Sequence, residues 1–238
     1  MIALPHSHPK SVVILAMGRS RLDLMAEVVA QKGGIPWDEV WAINHAGFVY
    51  QHALCFAMDD LRQMARGWPH YGRQMGLATQ PVLTSRAYPE FPTSVDYPIR
   101  EVVAVVGDDV FQNTVGYAIG YALWVGVKEL WLYGCDFTYA DRHNADQGGQ
   151  AAAYLIGYAR GRFGTSIYIP RSSTLLAAHT IEHGRRPLYG YAEQPASLAL
   201  PPAPAGARLP HQADLGPDGA QATDSLSEAT LGAEKGAV

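Results

Sequence analysis

Several short polar groups in this 238-residue sequence stand at the carboxyl ends of apolar runs: Gly18-Arg19-Ser20, Asn44-His45, Asp59-Asp60, Thr84-Ser85-Arg86, and Gly134 with Asp136. In an open parallel sheet, loops converge at those ends and helix N-termini aim free N–H groups at a ligand. The stretch "ILAMGRSRLDLM" offers a glycine for close backbone approach, Ser20 as a helix cap and Arg19 as an ion partner for a phosphate. Its single glycine lacks the three-glycine dinucleotide fingerprint, and no Gly-Lys-Ser/Thr follows to make a Walker A loop. A purely structural turn and an anion site remain equally good readings of it. A second group, Asn113-Thr114, opens the run "TVGYAIGYALWV", where it can cap a helix or present an amide and a hydroxyl to a ligand.

Carboxylates and one histidine add a second chemistry. Asp136, Asp141, His143 and Asp146 fall within eleven residues, and Asp59-Asp60 forms another acidic pair. Oxygen-rich groups of this kind bind Mg2+ or Mn2+, which would bridge a nucleotide diphosphate, with Asp59 and Asp136 the expected ligands. Aspartates also cap helices and close turns, so the metal reading and the structural one both stand. A histidine is able to take a proton from a hydroxyl near neutral pH, which makes His143 a candidate base.

These groups need a frame to position them. Apolar runs over residues 11–17, 39–44, 53–59, 81–85, 128–137 and 165–170 read as strands. Helices are expected over 21–33, 110–127 and 147–163, the first with Leu22, Met25, Val28 and Val29 on its buried face and Gly33-Gly34 at its end. The alternation predicts one α/β domain over 1–190: a single Rossmann-like, mostly parallel sheet with helices on both faces. Residues 61–98, rich in Trp, Tyr, Pro and Arg, read as an irregular insertion carrying the 81–85 strand. Residues 191–238, rich in Ala, Pro and Gly, read as a disordered tail.

Charge and composition narrow the partners. Of 22 acidic and 18 basic residues, six acidic and two basic lie from Tyr191 onward, so residues 1–190 carry sixteen of each. A neutral body has no global basic field for nucleic acid. No run of about 18 apolar residues predicts a membrane span, and "MIALPHSHPK" lacks the order of a secretory signal, so a cytoplasmic protein is expected. Cys55 and Cys135 sit in apolar runs and read as buried free thiols.

The order "ILAMGRS", "VWAINHA" and "NTVGYAIGYALWVGVKELWLYGCDF" resembles the Rossmann-like superfamily of Campylobacter-type bacterial sialyltransferases. It also resembles DUF115-like proteins, some linked to flagellin glycosylation or pterin pyrophosphokinase activity, and their phage and prophage relatives. The resemblance implies that Gly18, Ser20 and Asn44 contact a donor nucleotide, and that Thr114, beside Asn113, lies near the donor. It implies that His143 is the general base and that no metal is needed. The family loop Gly-x-Gly-Pro-Ser is here "AMGRS", without its first glycine and its proline.

The resulting expectation is a glycosyltransferase-like enzyme that binds a nucleotide-activated sugar and passes the sugar to a hydroxyl acceptor. Its nucleotide contacts would be Gly18, Arg19, Ser20, Asn44, Asn113, Thr114 and Gly134. His143 and Asp136 would be the catalytic pair, and residues 61–98 would close over the acceptor. The alternatives are a non-catalytic nucleotide-binding accessory protein and a pterin pyrophosphokinase-like transferase dependent on metal at Asp59 and Asp136.

Overall fold

Val12, Val13, Ile14 and Leu15 are all buried, which requires a strand covered on both faces. The computed structural model describes residues 8–30, 36–170 and 172–177, all within the unit Met1–Arg186. The tail expected over 191–238, and Gly33-Gly34, lie outside the described residues. The elements are β1 (Ser11–Leu15), α1 (Arg21–Ala30), β2 (Glu39–Ile43), β3 (Leu54–Phe56), α2 (Leu61–Gly67), α3 (Pro69–Gly76) and β4 (Val82–Thr84). They continue through β5 (Ser94–Asp96), α4 (Ile99–Val106), α5 (Thr114–Val125), β6 (Glu129–Tyr133), α6 (Arg142–Tyr158) and β7 (Ser166–Tyr168).

The strands form one seven-stranded sheet in the order β5-β4-β3-β2-β1-β6-β7, with every pair parallel. The chain leaves β1 toward β2 and later returns to β1's other side as β6. The topological switch therefore falls between β1 and β6, where Leu15 pairs with Tyr133. Alternation along the strand splits β1 between two layers. Val12 and Ile14 join the large core with Val102, Ile119 and Leu155 of α4, α5 and α6. Val13 and Leu15, equally buried, turn to the opposite face.

Helix α5 is capped by Asn113 and ends at Gly126, whose φ of 85° is the left-handed conformation that glycine adopts freely. Its residues Val115 to Leu123 are buried except Tyr117, as expected for a helix in the core. Helix α6 begins five residues earlier than the sequence suggests, because Asp141 caps it by accepting from the Asn144 backbone N–H. This places His143 in the first helical turn rather than in a preceding loop. Residues 61–98 are more regular than expected: besides α2 and α3 they supply both β4 and β5 at the sheet edge.

Helix α1 corrects the expected buried face. Leu22 is 51% exposed and Val29 77%, while Leu24 and Glu27 are buried. The cause is Ser20, fully buried just ahead of the helix: Leu24 and Glu27 stand four and seven residues on and so follow it inward. Glu27 accepts a hydrogen bond from the Tyr133 hydroxyl at 2.6 Å, which satisfies both buried groups. A polar anchor thus sets the rotation of this helix against its hydrophobic period.

Both cysteines are free and buried, as expected. Burial pushes the Cys55 thiol up to about 12 and raises Cys135 likewise. Neither thiol is expected to react with Ellman's reagent at pH 8 until the protein is unfolded, a difference followed by absorbance. Leu24→Ala is expected to cost about 2–4 kcal/mol in urea unfolding, whereas Leu22→Gln stays within about 0.5 kcal/mol.

Candidate functional site

A crevice of about 920 Å³ opens at the carboxyl ends of β1, β2, β3 and β6. Its size falls in the range of small-molecule sites, and it lies at the topological switch. Of the expected site residues, Gly18, Asn44, Asp59, Asn113, Thr114, Gly134 and Asp136 line it. Arg19 and His143 are exposed and are not among its lining residues, and Ser20 is sealed beneath it.

The floor is a polar staple between the loops that follow β1 and β6. The Ser20 backbone N–H donates to Asp136 Oδ2 at 2.7 Å, and its hydroxyl donates to Asp136 Oδ1 at 2.6 Å while accepting from the Gly134 N–H at 2.8 Å. Ser173 Oγ donates to the same Oδ1 at 2.8 Å, and Thr174 Oγ1 donates to the Asp136 carbonyl. The Gly18 N–H donates to the Gly134 carbonyl at 2.8 Å. The glycines are required by this contact: a Cβ on Gly134 would lie 2.1 Å from Ala16 O, and one on Gly18 would lie 2.5 Å from Gly134 O. Gly134 also has a φ of 69°. Gly18 and Ser20 therefore bring two loops together; their close approach is to protein, not to an open phosphate seat. The Arg21 guanidinium folds back on the same loop, donating to Met17 O and Gly18 O.

Asp136 is 4% exposed and both carboxylate oxygens accept hydrogen bonds from Ser20 or Ser173. Asp60 caps α2 through the Arg62 and Gln63 N–H groups and pairs with Arg86 at 3.0 Å. Asp59 is exposed at the crevice. Among the described residues no cluster of three or more His, Cys, Asp or Glu side chains is grouped to hold a metal. With the Asp136 carboxylate already accepting three internal hydrogen bonds and no third ligating side chain grouped with it among the described residues, Asp59 and Asp136 do not fit the divalent cation expected from their sequence positions.

Asn113 is committed as well, since its Oδ1 caps the Gly116 N–H at 2.9 Å and its Nδ2 donates to Gly148 O of α6 at 3.0 Å. Thr114, the next residue, keeps its hydroxyl free of any hydrogen bond to a described residue. As first residues of α5, Thr114 and Val115 have N–H groups with no intrahelical acceptor.

Two walls carry backbone strain. Asn44 has a φ of 50° and Phe137 a φ of 51°, and both line the crevice. Asparagine tolerates the left-handed region, but a phenylalanine there is costly and persists only where its surroundings hold it. Gly148 and Gly149 of α6 hold it, because a Cβ on Gly148 would lie 2.8 Å from the Phe137 ring. Asn44 Oδ1 is buried without a hydrogen-bond partner, a state that native proteins seldom leave in place.

Sequence reasoning set His45 beside Asn44 and gave it no role. Its ring lines the crevice, 4.9 Å from Tyr71, 5.8 Å from Phe48 and 6.0 Å from Trp68. Trp68 was equally unmarked, because a lone tryptophan between two short helices has no periodic signal.

Fold and crevice together define an open, all-parallel α/β protein with a small-molecule-sized site at its switch point. No family model and no curated protein matches the sequence. Among solved structures the chain is similar to the sialyltransferase CstII from Campylobacter jejuni in complex with the substrate analogue CMP-3FNeuAc. Identity is 15%, with 70% of this chain and 82% of that chain covered and a TM-score of 0.48. A second structure of that enzyme, with cytidine-5'-monophosphate, is similar at 14% identity, 67% and 79% coverage and a TM-score of 0.42.

The staple is expected to dominate local stability. Ser20→Ala, which strips a buried donor and acceptor, is expected to cost about 1–3 kcal/mol, and Gly134→Ala at least about 2 kcal/mol. Urea unfolding followed by circular dichroism measures both.

Proposed function

We propose that the crevice binds a nucleotide-activated sugar and that the protein transfers the sugar to a hydroxyl acceptor. The observation that carries this reading is Asn44: a left-handed residue whose buried amide oxygen has no protein partner, in the wall of a crevice at the switch point. Such an atom costs stability unless a ligand donor meets it, and a ribose hydroxyl or a base amino group is a donor of the right kind. The free Thr114 hydroxyl and the first N–H groups of α5 supply the other half, favouring the donor phosphate and the charge that builds on it as the sugar departs. Transfer then rests on positioning, leaving-group stabilisation and removal of one proton.

The pyrophosphokinase alternative requires a magnesium nucleoside triphosphate held by Asp59 and Asp136, and the three internal hydrogen bonds that the Asp136 carboxylate accepts weigh against it. Nucleotide binding without catalysis has one observation in its favour: the expected base, His143, is exposed on α6 and absent from the crevice lining.

Thermal-shift and calorimetric titration with CMP, UDP, GDP, ATP and CMP-sialic acid, with and without Mg2+, test the reading. Selective stabilisation by one nucleotide class is expected, and Asn44→Gly should weaken that binding about tenfold, close to 1.4 kcal/mol. Because glycine accepts the left-handed backbone and carries no amide to strand, Asn44→Gly should leave the free protein at least as stable as the wild type. Absence of stabilisation by every nucleotide would overturn the proposal and point to a protein partner.

A further inference from the structure

The crevice has a second wall that the nucleotide contacts do not use. Asn44 and His45 are chain neighbours at the carboxyl end of β2, in a short 3-10 turn spanning Asn44–Phe48. His45 is the one histidine among the described residues that lines the crevice. Its imidazole sits against the rings of Phe48, Tyr71 and Trp68, which hold the plane in place, and neither ring nitrogen hydrogen-bonds to a described residue. A packed imidazole with free nitrogens has already lost its rotamer freedom and keeps its proton-accepting capacity. Tyr71 does not compete as a base: burial raises its hydroxyl well above the ordinary value, so it stays protonated.

Beside His45 the residues change character. Trp68 joins α2 to α3, lines the crevice and is 57% exposed, a large aromatic face left open to solvent. Met64 of α2 adds apolar surface, and Asp59 adds an exposed carboxylate with no hydrogen bond to a described residue. An open aromatic plate next to unpaired acceptors matches a ligand with one C–H face and a rim of hydroxyl donors. A pyranose has that surface.

Resting on the transferase reading above, we propose that His45, Asp59, Met64 and Trp68 form the acceptor subsite for a saccharide, with His45 as the base. The acceptor hydroxyl gives its proton to a His45 ring nitrogen while its oxygen bonds to the anomeric carbon of the donor sugar. The bond from that carbon to the phosphate oxygen breaks, and its electron pair leaves with the phosphate. The imidazolium then returns the proton to solvent. Asn44 on the donor side and His45 on the acceptor side bracket the reacting carbon, so one backbone turn sets both halves of the geometry.

The test uses the full chain with CMP-sialic acid as donor, and water or methyl pyranosides as acceptor probes. His45→Gln is expected to lower kcat by 10²- to 10⁴-fold with CMP affinity within about twofold of wild type. Added imidazole should restore part of the activity of His45→Ala, a rescue that a packing role would not give. Trp68→Ala should raise the KM for the pyranoside about tenfold. Wild-type turnover in His45→Gln, or a large loss in His143→Gln in its place, overturns the assignment while leaving donor binding intact. A wild-type protein that binds CMP but consumes no donor overturns the subsite and the transfer step together, leaving nucleotide binding alone. A protein that binds no nucleotide overturns the subsite and the transferase reading together.

Discussion

The structure turns on the carboxylate of Asp136. Buried at the end of β6, it gathers the backbone and hydroxyl of Ser20 and the hydroxyl of Ser173. Three donors at one buried carboxylate make a charge-assisted network that is strong while complete and costly when any member is missing. Because Ser20 follows β1 and Asp136 follows β6, the network closes across the switch point, where the two halves of the sheet diverge.

Much else is set by that closure. Pulling Ser20 inward rotates α1, which puts Leu24 and Glu27 inside and leaves Leu22 and Val29 in solvent. It brings two backbones close enough that Gly18 and Gly134 have no room for a side chain. It also gives the crevice a rigid floor, so that the strained residues Asn44 and Phe137 can be held in its walls. The free polar groups of the site, Thr114, Asp59 and His45, stand on elements around this floor rather than in it.

The frame of the protein was legible in the chain. Short apolar runs alternating with helical ones indicated a parallel sheet, and parallel strands place their loops at one end, so the polar residues after strands include the crevice-lining Asn44, His45 and Asp59, while Thr114 stands out at the head of a helical run. The same search could not separate residues that face the crevice from those that hold it together. Gly18, Ser20, Asn113 and Asp136 have the residue types of a phosphate site, yet most of their hydrogen-bonding capacity goes to one another or to Gly116, Gly134, Gly148 and Ser173. A serine or aspartate reads the same in sequence whether its partner is a ligand or a loop 116 residues away.

Local sequence determined what depends on near neighbours: strand and helix alternation, the Asn113 cap, the buried small-residue run of α5 and the two apolar-lined thiols. Tertiary structure decided what depends on long-range partners. The rotation of α1, the exposure of His143 on the first turn of α6 and the arrival of His45 and Trp68 in the crevice were all of this kind. The reason is physical: periodicity records which side of an element is apolar, whereas a polar side chain's function is set by the atom it meets, and that atom is chosen by the fold.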